Sequence, residues 1–122
     1  MKKILLIVVL LLGIISTGTL KLGAKMNTEI TEVRAAHILV QTKDEALKLK
    51  EEIEANKISF EEAAKQNSMC PSKAQGGDLG YFGRHMMVKE FETASFEAPV
   101  GTVTEPVQTQ FGWHLIKVID KK

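Results

Sequence analysis

One cysteine and two histidines are the side chains of this sequence best suited to chemistry. Cys70 opens a glycine-rich stretch that ends at Gly83, while His37 and His114 each lie in an apolar segment. A thiolate paired with an imidazole is the device of cysteine hydrolases, so a Cys–His nucleophile is one interpretation. Pro71 follows the cysteine, however, and leaves no helix start there to favour the thiolate. A half-buried small side chain is the simpler interpretation of Cys70.

A metal site is not indicated by the remaining ligand-type residues. His85 stands beside Arg84 in a predicted loop, and no second cysteine or carboxylate cluster completes a ligand set. We therefore expect neither a metal nor a cofactor. A lone histidine in an apolar strand is usually a hydrogen-bonded core residue. Two of them, His37 and His114, on neighbouring central strands favour a functional pair.

Apolar side chains near the glycine-rich stretch form a second candidate site. Leu79 lies inside the stretch, and Met86, Met87 and Phe91 lie at the start of a predicted helix. A Met–Phe spacing of four is typical of a helix packed on a core. Methionine at a helix start equally suits an adaptable concave site for a compact aliphatic ring. Core and pocket therefore remain alternatives for Met87 and Phe91.

The N-terminal segment has the pattern of an export signal. Lys2 and Lys3 precede an apolar run from Ile4 that continues to Ile15. This run is shorter than the roughly 20 apolar residues that span a bilayer as a helix. We expect residues 1–25 to be a signal peptide or an N-terminal membrane anchor, with possible attachment through residues 4–22. No cysteine follows the run, so we expect no lipid attachment there. The predicted location is the cell envelope, on its periplasmic or extracellular face, with the protein either released or anchored.

Charge and cysteine content restrict the rest of the chain. Of the 16 lysines and arginines, four lie in the N-terminal segment, whereas all 15 acidic residues lie beyond it. The folded part is thus slightly acidic and has no electrostatic footprint for nucleic acid. A single cysteine excludes an intrachain disulfide. We expect one domain over residues 33–122, acting as a monomer.

Apolar periodicity and capping signals predict a small α+β domain. The segment 33–40 is apolar on both faces and is predicted as a central strand. The Thr42–Glu45 and Ser59–Glu62 segments are capping boxes that start two helices, and a third is predicted over 88–96. Further strands are predicted over 103–109 and 113–119, the first near an edge because Pro106 interrupts it. We expect the first and last strands to lie side by side, and the glycine-rich stretch to be irregular.

Four segments together resemble the parvulin family of peptidyl-prolyl cis/trans isomerases. They are AHILV at 36–40, the glycine-rich stretch at 70–83, MVKEF at 87–91 and EPVQTQFGWHLIK at 105–117. Their order and spacing match the family from about Arg34 to Val118. The resemblance implies a small four-stranded antiparallel sheet surrounded by about four helices. It also implies non-covalent catalysis of X-Pro bond rotation.

The resemblance further implies a role for eight residues of this sequence. Two facing histidines, a polar wall and a polar strand residue correspond to the catalytic set, which is His37, Cys70, His114 and Thr109. The pocket for the substrate proline and its neighbouring aromatic wall correspond to Leu79, Met87, Phe91 and Phe111. His85 and Met86 depart from the Gly-Gln that many relatives have, so the turn before the third helix is expected to differ.

Substrates and alternatives follow from the same comparison. The loop at 41–45 lacks the basic cluster of phosphate-directed parvulins, so we expect no phosphate requirement. The expected partners are unfolded or newly exported proline-containing polypeptides, whose folding the protein would assist. One alternative is a module that binds proline-containing segments as a chaperone with little turnover. A thiol-dependent hydrolase is the other.

Overall fold

The computed structural model describes residues 29–122, so the predictions for residues 1–25 lie outside the described part. None of its helices in that part is long and apolar enough to cross a membrane. The elements follow in the order β1 (Glu32–Val40), α1 (Lys43–Glu54), α2 (Phe60–Asn67), a 3-10 helix (Pro71–Gln75), β2 (Asp78–Gly83), α3 (Lys89–Glu97), β3 (Val107–Thr109) and β4 (Gly112–Lys121).

The four strands form one antiparallel sheet in the order β2-β1-β4-β3. The predicted α+β class and the central pairing of the first and last strands are confirmed. The described residues contain three α-helices instead of about four, because the fourth helical segment is only the short 3-10 helix. The predicted strand over 103–109 is shorter than expected. Only Val107–Thr109 is strand, and Val103 forms an isolated bridge to Lys117.

Each face of the sheet carries its own hydrophobic core, as the two apolar faces of β1 require. On one face, Ala36, Ile38 and Val40 pack with buried residues of α1 and α2. On the other, Val33 and Ala35 pack with Phe82 of β2, with Ile116 and Val118 of β4 and with the aromatic side of α3. His37 and His114 continue the alternation of this second face, so α3 covers them.

The helices begin where the capping signals predict. Thr42 accepts a hydrogen bond from the Glu45 backbone N–H, and the Glu45 carboxylate accepts from the Thr42 N–H. At α2 only half of the predicted capping box forms, because Ser59 accepts from the Glu62 N–H while the Glu62 carboxylate accepts from the Gln66 side chain instead. Before α3, the Glu92 carboxylate accepts from the backbone N–H of His85. His85 has a φ of 70°, a left-handed conformation in which a glycine would be unstrained.

The glycine-rich stretch is more regular than predicted, since its second half is the edge strand β2. Its first half and the two residues before it run along the part of β1 that follows Ala36, where β2 no longer pairs with β1. The His37 N–H donates to the Gly77 carbonyl at 2.9 Å, and the Leu39 N–H donates to Ser68 Oγ at 3.0 Å. Met69 N–H donates in turn to the Leu39 carbonyl at 2.8 Å. These bonds hold the segment that carries Cys70 beside the strand that carries His37.

Gly77 is expected to be the least replaceable glycine of this stretch. It has a φ of 87°, and a Cβ built on it would lie 2.4 Å from the His37 carbonyl oxygen. Gly77→Ala should therefore lower the free energy of unfolding by roughly 3 kcal/mol or more, combining backbone strain with a clash. Urea unfolding of both proteins measures this difference.

Gly80→Ala provides the matched control. Gly80 also has a positive φ, of 74°, but a Cβ there would meet nothing within 4 Å. Its cost should be limited to the left-handed strain of about 1–2 kcal/mol. Equal losses for the two variants would contradict the close approach of Gly77 to β1.

Candidate active site

A cavity of about 510 Å³ opens between the sheet, α3 and the segment around Cys70. Its walls are mainly apolar and carry no lysine, arginine, aspartate or glutamate. The side chains that line it are His37, Leu39, Met69, Cys70, Pro71, Leu79, Met86, Met87, Val88, Phe91, Phe111 and His114.

The floor of the cavity is a chain of hydrogen bonds that joins β1, β4 and β3. His37 on β1 and His114 on β4 lie two residues apart in register, because Leu39 is the direct partner of His114. Their Nδ1 atoms are 3.0 Å apart and their rings are stacked. His114 Nε2 lies 2.7 Å from Thr109 Oγ1, which accepts a further bond from the Phe111 N–H at 3.1 Å.

The chain joins two imidazoles of opposite tautomer. Thr109 Oγ1 accepts from a backbone N–H and keeps one hydrogen and one lone pair, so it can either donate to His114 Nε2 or accept from it. In both cases one neutral ring carries its hydrogen on Nδ1 and donates to the Nδ1 of the other ring, whose hydrogen is on Nε2. The Nε2 atom of His37 is buried and has no hydrogen-bond partner among the described residues.

Both imidazoles are neutral at physiological pH. The pKa of each is lowered to about 4, by burial alone for His114 and by burial together with the proximity of His114 for His37. Burial disfavours the charged form because the surrounding apolar side chains do not solvate it. A group with so low a pKa is also a weak general base at neutral pH.

Cys70 reaches the cavity wall without an imidazole partner. Three of the four imidazole nitrogens of His37 and His114 are used within the hydrogen-bonded chain, and the fourth is unpaired. The Cys–His nucleophile considered above therefore lacks its base. The thiol is a half-buried, weakly polar group at the edge of an apolar cavity.

The apolar wall opposite the histidines is built around Phe91 of α3. Its ring meets His37 and His114 edge-on, with centroid distances of 5.4 and 5.3 Å. The same ring packs on Phe82, with the centroids 6.0 Å apart, within the second core. Phe91 thus belongs to the hydrophobic core and also forms a wall of the cavity, so both of the alternatives considered for it, core and pocket, hold. Met87 is partly buried against the same core and also lines the cavity.

The structure brings all eight predicted site residues together. Seven of them line the cavity, and Thr109 lies behind His114, to which it is hydrogen-bonded. Sequence reasoning did not single out Leu39, Met69, Pro71 and Val88, which also line it. Three of these four adjoin a chosen residue in the chain, and that adjacency was the available signal. Among residues 29–122, no group of histidine, cysteine and carboxylate side chains is arranged to hold a metal ion.

The sequence of this chain is similar to a known protein family over most of its length. The Rotamase family, described as the PPIC-type PPIASE domain, matches residues 26–120. Foldase protein PrsA 1 of Bacillus cereus is 53% identical over 92 residues, which are 75% of this chain and 32% of that protein. Foldase protein PrsA of Geobacillus kaustophilus is 45% identical over 92 residues, with the same two coverages. The chain thus spans about a third of the length of these curated relatives.

Solved structures give the same match. The crystal structure of peptidylprolyl isomerase (PrsA) from Bacillus anthracis aligns with a TM-score of 0.74 and 43% identity, covering 80% of this chain and 45% of that one. The solution structure of NmPin, the parvuline of Nitrosopumilus maritimus, aligns with a TM-score of 0.69 and 38% identity. That alignment covers 76% of this chain and 100% of the other, so the same fold also exists as a complete small protein.

The low pKa of both histidines predicts that the domain loses stability in mild acid. The unfolded chain takes up protons on these residues as pH falls below about 6.5, whereas the folded state does so only near pH 4. Between these values the unfolded state binds more protons, so the free energy of unfolding decreases as pH falls. The loss from pH 7 to pH 5 should be roughly 2 kcal/mol for each histidine.

Urea unfolding at pH 7, 6 and 5 measures this loss. The pKa values of Asp78, Glu92 and Asp120 are all lowered by hydrogen bonding, so these carboxyl groups titrate below this range. Stability that stays constant from pH 7 to pH 5 would contradict a buried neutral histidine pair.

Proposed function

Since this chain belongs to the PPIC-type peptidyl-prolyl cis/trans isomerase family, the parvulins, we propose that it accelerates rotation about X-Pro peptide bonds. The observation that carries the proposal is the apolar cavity whose floor is the hydrogen-bonded pair of His37 and His114. The proposal extends to the assistance of protein folding, because its relatives are named foldases.

The reaction does not depend on an acid, a base or a nucleophile. Rotation about an X-Pro bond breaks no σ-bond, but it must overcome amide resonance, a barrier of roughly 20 kcal/mol. An enzyme accelerates it by binding the twisted amide more tightly than either planar isomer. The twisted amide has lost its charge-separated resonance form and is less polar, so a cavity that excludes water favours it.

Each wall of the cavity then has a distinct task. Leu79, Met87 and Phe91 enclose the proline ring, and Phe111 closes the neighbouring side. The neutral histidines provide a rigid floor that carries no ionic charge to stabilise the planar, more polar isomers. Cys70 and Thr109 complete this set, the first as a weakly polar wall and the second by orienting His114.

We propose that the substrates are ordinary X-Pro bonds without phosphate. A phosphate group next to the proline would need basic side chains, and none lines the cavity. The loop between β1 and α1 contains only Gln41 and Thr42, and Lys43 lies over the Trp113 ring, with Nζ 5.7 Å from its centroid. Unfolded or newly exported proline-containing polypeptides are the proposed partners.

The proposed setting is the cell envelope. Residues 1–25 would direct export and either be removed or remain as an anchor through residues 4–22, with residues 33–122 as the isomerase domain. The two lysines at positions 2 and 3 and the apolar run that follows them support this setting. A monomer is proposed because the cavity is complete within one chain.

Isomerase activity is testable by cis/trans exchange. The full chain should accelerate the exchange of an Ala-Xaa-Pro-Phe peptide, measured by NMR line shapes or by a protease-coupled assay. A folded sample that binds the peptide without accelerating its exchange would contradict the isomerase proposal. It would favour the alternative, a module that binds proline-containing segments with little turnover.

Cys70→Ser separates the non-covalent route from the thiol-dependent one. Serine preserves a small polar wall, so kcat/KM should fall by no more than roughly tenfold, because only one weak contact changes. Leu47→Ala, on the exposed side of α1, is the control for unspecific effects of substitution. Complete loss of activity in the serine variant, with the control unaffected, would favour a thiol nucleophile.

A further inference from the structure

A second cleft lies on the face of the sheet opposite the cavity. Its volume is about 350 Å³, and it is bounded by β1, β2 and β4, by the first turn of α2 and by the 3-10 helix. Ala36 of β1 and Lys117 of β4 are direct partners in register, and both line this cleft. His37, the next residue of β1, lies on the other face and lines the cavity. The cleft and the cavity are thus back to back and share no lining residue.

Lys117 is a half-buried lysine without a partner. The two other half-buried lysines of the described part are bonded. The Lys50 ammonium lies 2.8 Å from a Glu54 carboxylate oxygen, and the Lys121 ammonium donates to the Phe96 carbonyl at 2.7 Å. Lys117 has neither a hydrogen bond nor an ion pair from its ammonium within the described part of the chain. A half-buried ammonium has lost part of its hydration, and a carboxylate that enters the cleft would compensate that loss.

The other charged side chains of the cleft do not neutralise Lys117. Arg34 and Asp78 form a bidentate ion pair, so their charges compensate each other. Glu61 is exposed, and water screens its carboxylate. Its stem packs on Gly76, because a Cβ built on this glycine would lie 3.0 Å from the Glu61 Cβ. Among the residues that line the cleft, Lys117 therefore carries the charge that is both half-buried and uncompensated.

We propose that this cleft binds an acidic side chain of an extended polypeptide, with Lys117 as the residue that pairs with its carboxylate. The site is separate from the cavity, so the proposal goes beyond the isomerase function and does not depend on it. A polypeptide bound in the cleft leaves the cavity on the other face free for its prolines.

The size and composition of the cleft favour a polypeptide segment over a small anion. Its volume of about 350 Å³ lies within the range of about 300–1,000 Å³ that ligand sites have, and it exceeds what one carboxylate fills. Ala36, Val118 and Ile119 supply apolar surface beside Lys117, and Gln75 supplies an amide that can bond to a peptide group. Acetate would use the ammonium alone. An acidic residue between small or apolar neighbours would use all three kinds of surface.

A chemical-shift titration of the nitrogen-15-labelled full chain at pH 7 tests this site. The ligands are a proline-free tetrapeptide with blocked ends, Ala-Glu-Ala-Leu, its two analogues with Gln or Lys in place of Glu, and acetate. The Glu peptide should shift the amide signals of Ala36, Gln75 and Lys117. It should bind about tenfold more tightly than the Gln peptide, because it adds one charge-assisted hydrogen bond. Acetate should bind more weakly than the Glu peptide.

Variants of Lys117 identify the source of the preference. Lys117→Met keeps the apolar stem and removes the charge, so it should weaken binding of the Glu peptide about tenfold and leave the Gln peptide unaffected. Lys117→Arg keeps the charge and should retain the preference for Glu. Lys65→Met is the matched control, since Lys65 is an exposed lysine of α2 that does not line the cleft. It should leave both affinities unchanged, and circular dichroism checks that each variant is folded.

The outcomes separate this site from the isomerase function. Equal affinities for the Glu and Gln peptides, tighter binding of the Lys peptide, or shifts confined to the cavity would overturn the proposal. A preference for Glu that survives Lys117→Met would also overturn it, and acetate binding as tightly as the Glu peptide would overturn its polypeptide ligand. Lys117→Met should isomerise a short X-Pro peptide with unchanged kcat/KM. Absence of turnover in the unsubstituted chain would contradict the isomerase function alone.

Discussion

The hydrogen bond between the Nδ1 atoms of His37 and His114 organises the site. It joins the two central strands on the face that α3 covers, where apolar side chains surround it. Two imidazoles can share such a bond only when one donates and the other accepts, so at least the accepting ring must be neutral. Burial enforces that state by lowering both pKa values to about 4.

Several other features of the domain are consistent with this constraint. Thr109 is hydrogen-bonded to His114 Nε2 at the end of the chain, and it is held by the tight corner before β4. Gly77 approaches β1 closely enough to accept from the His37 N–H, which places the Cys70 segment along the same strand. Phe91 packs edge-on against both rings and closes the site from α3. The resulting cavity is apolar, which suits a reaction whose twisted intermediate geometry is less polar than either planar isomer.

Local sequence signals predicted most of the helices and strands. The features that they missed depend on the pairing of strands that are distant in the chain. The capping residues Thr42 and Ser59 mark helix starts because their bonds are local. The strand β2 was not predicted, because its glycines obscure the alternation of its side chains. Its pairing with β1 is what establishes it as a strand. The resemblance to parvulins predicts eight site residues, and all eight lie at the cavity or directly behind it. Met69 was not singled out, because the role of an exposed methionine depends on which cavity it borders, and the sequence alone does not show this.

The nitrogen-15 spectrum of the imidazoles tests the central claim most directly. In the full chain at pH 7 and at pH 5.5, His37 and His114 should both give the shifts of neutral rings, one with its hydrogen on Nδ1 and the other with its hydrogen on Nε2. This pattern follows from the hydrogen bond between the two Nδ1 atoms and from the lowered pKa values. Imidazolium signals from either histidine at pH 5.5, or the same tautomer in both rings at pH 7, would contradict the account.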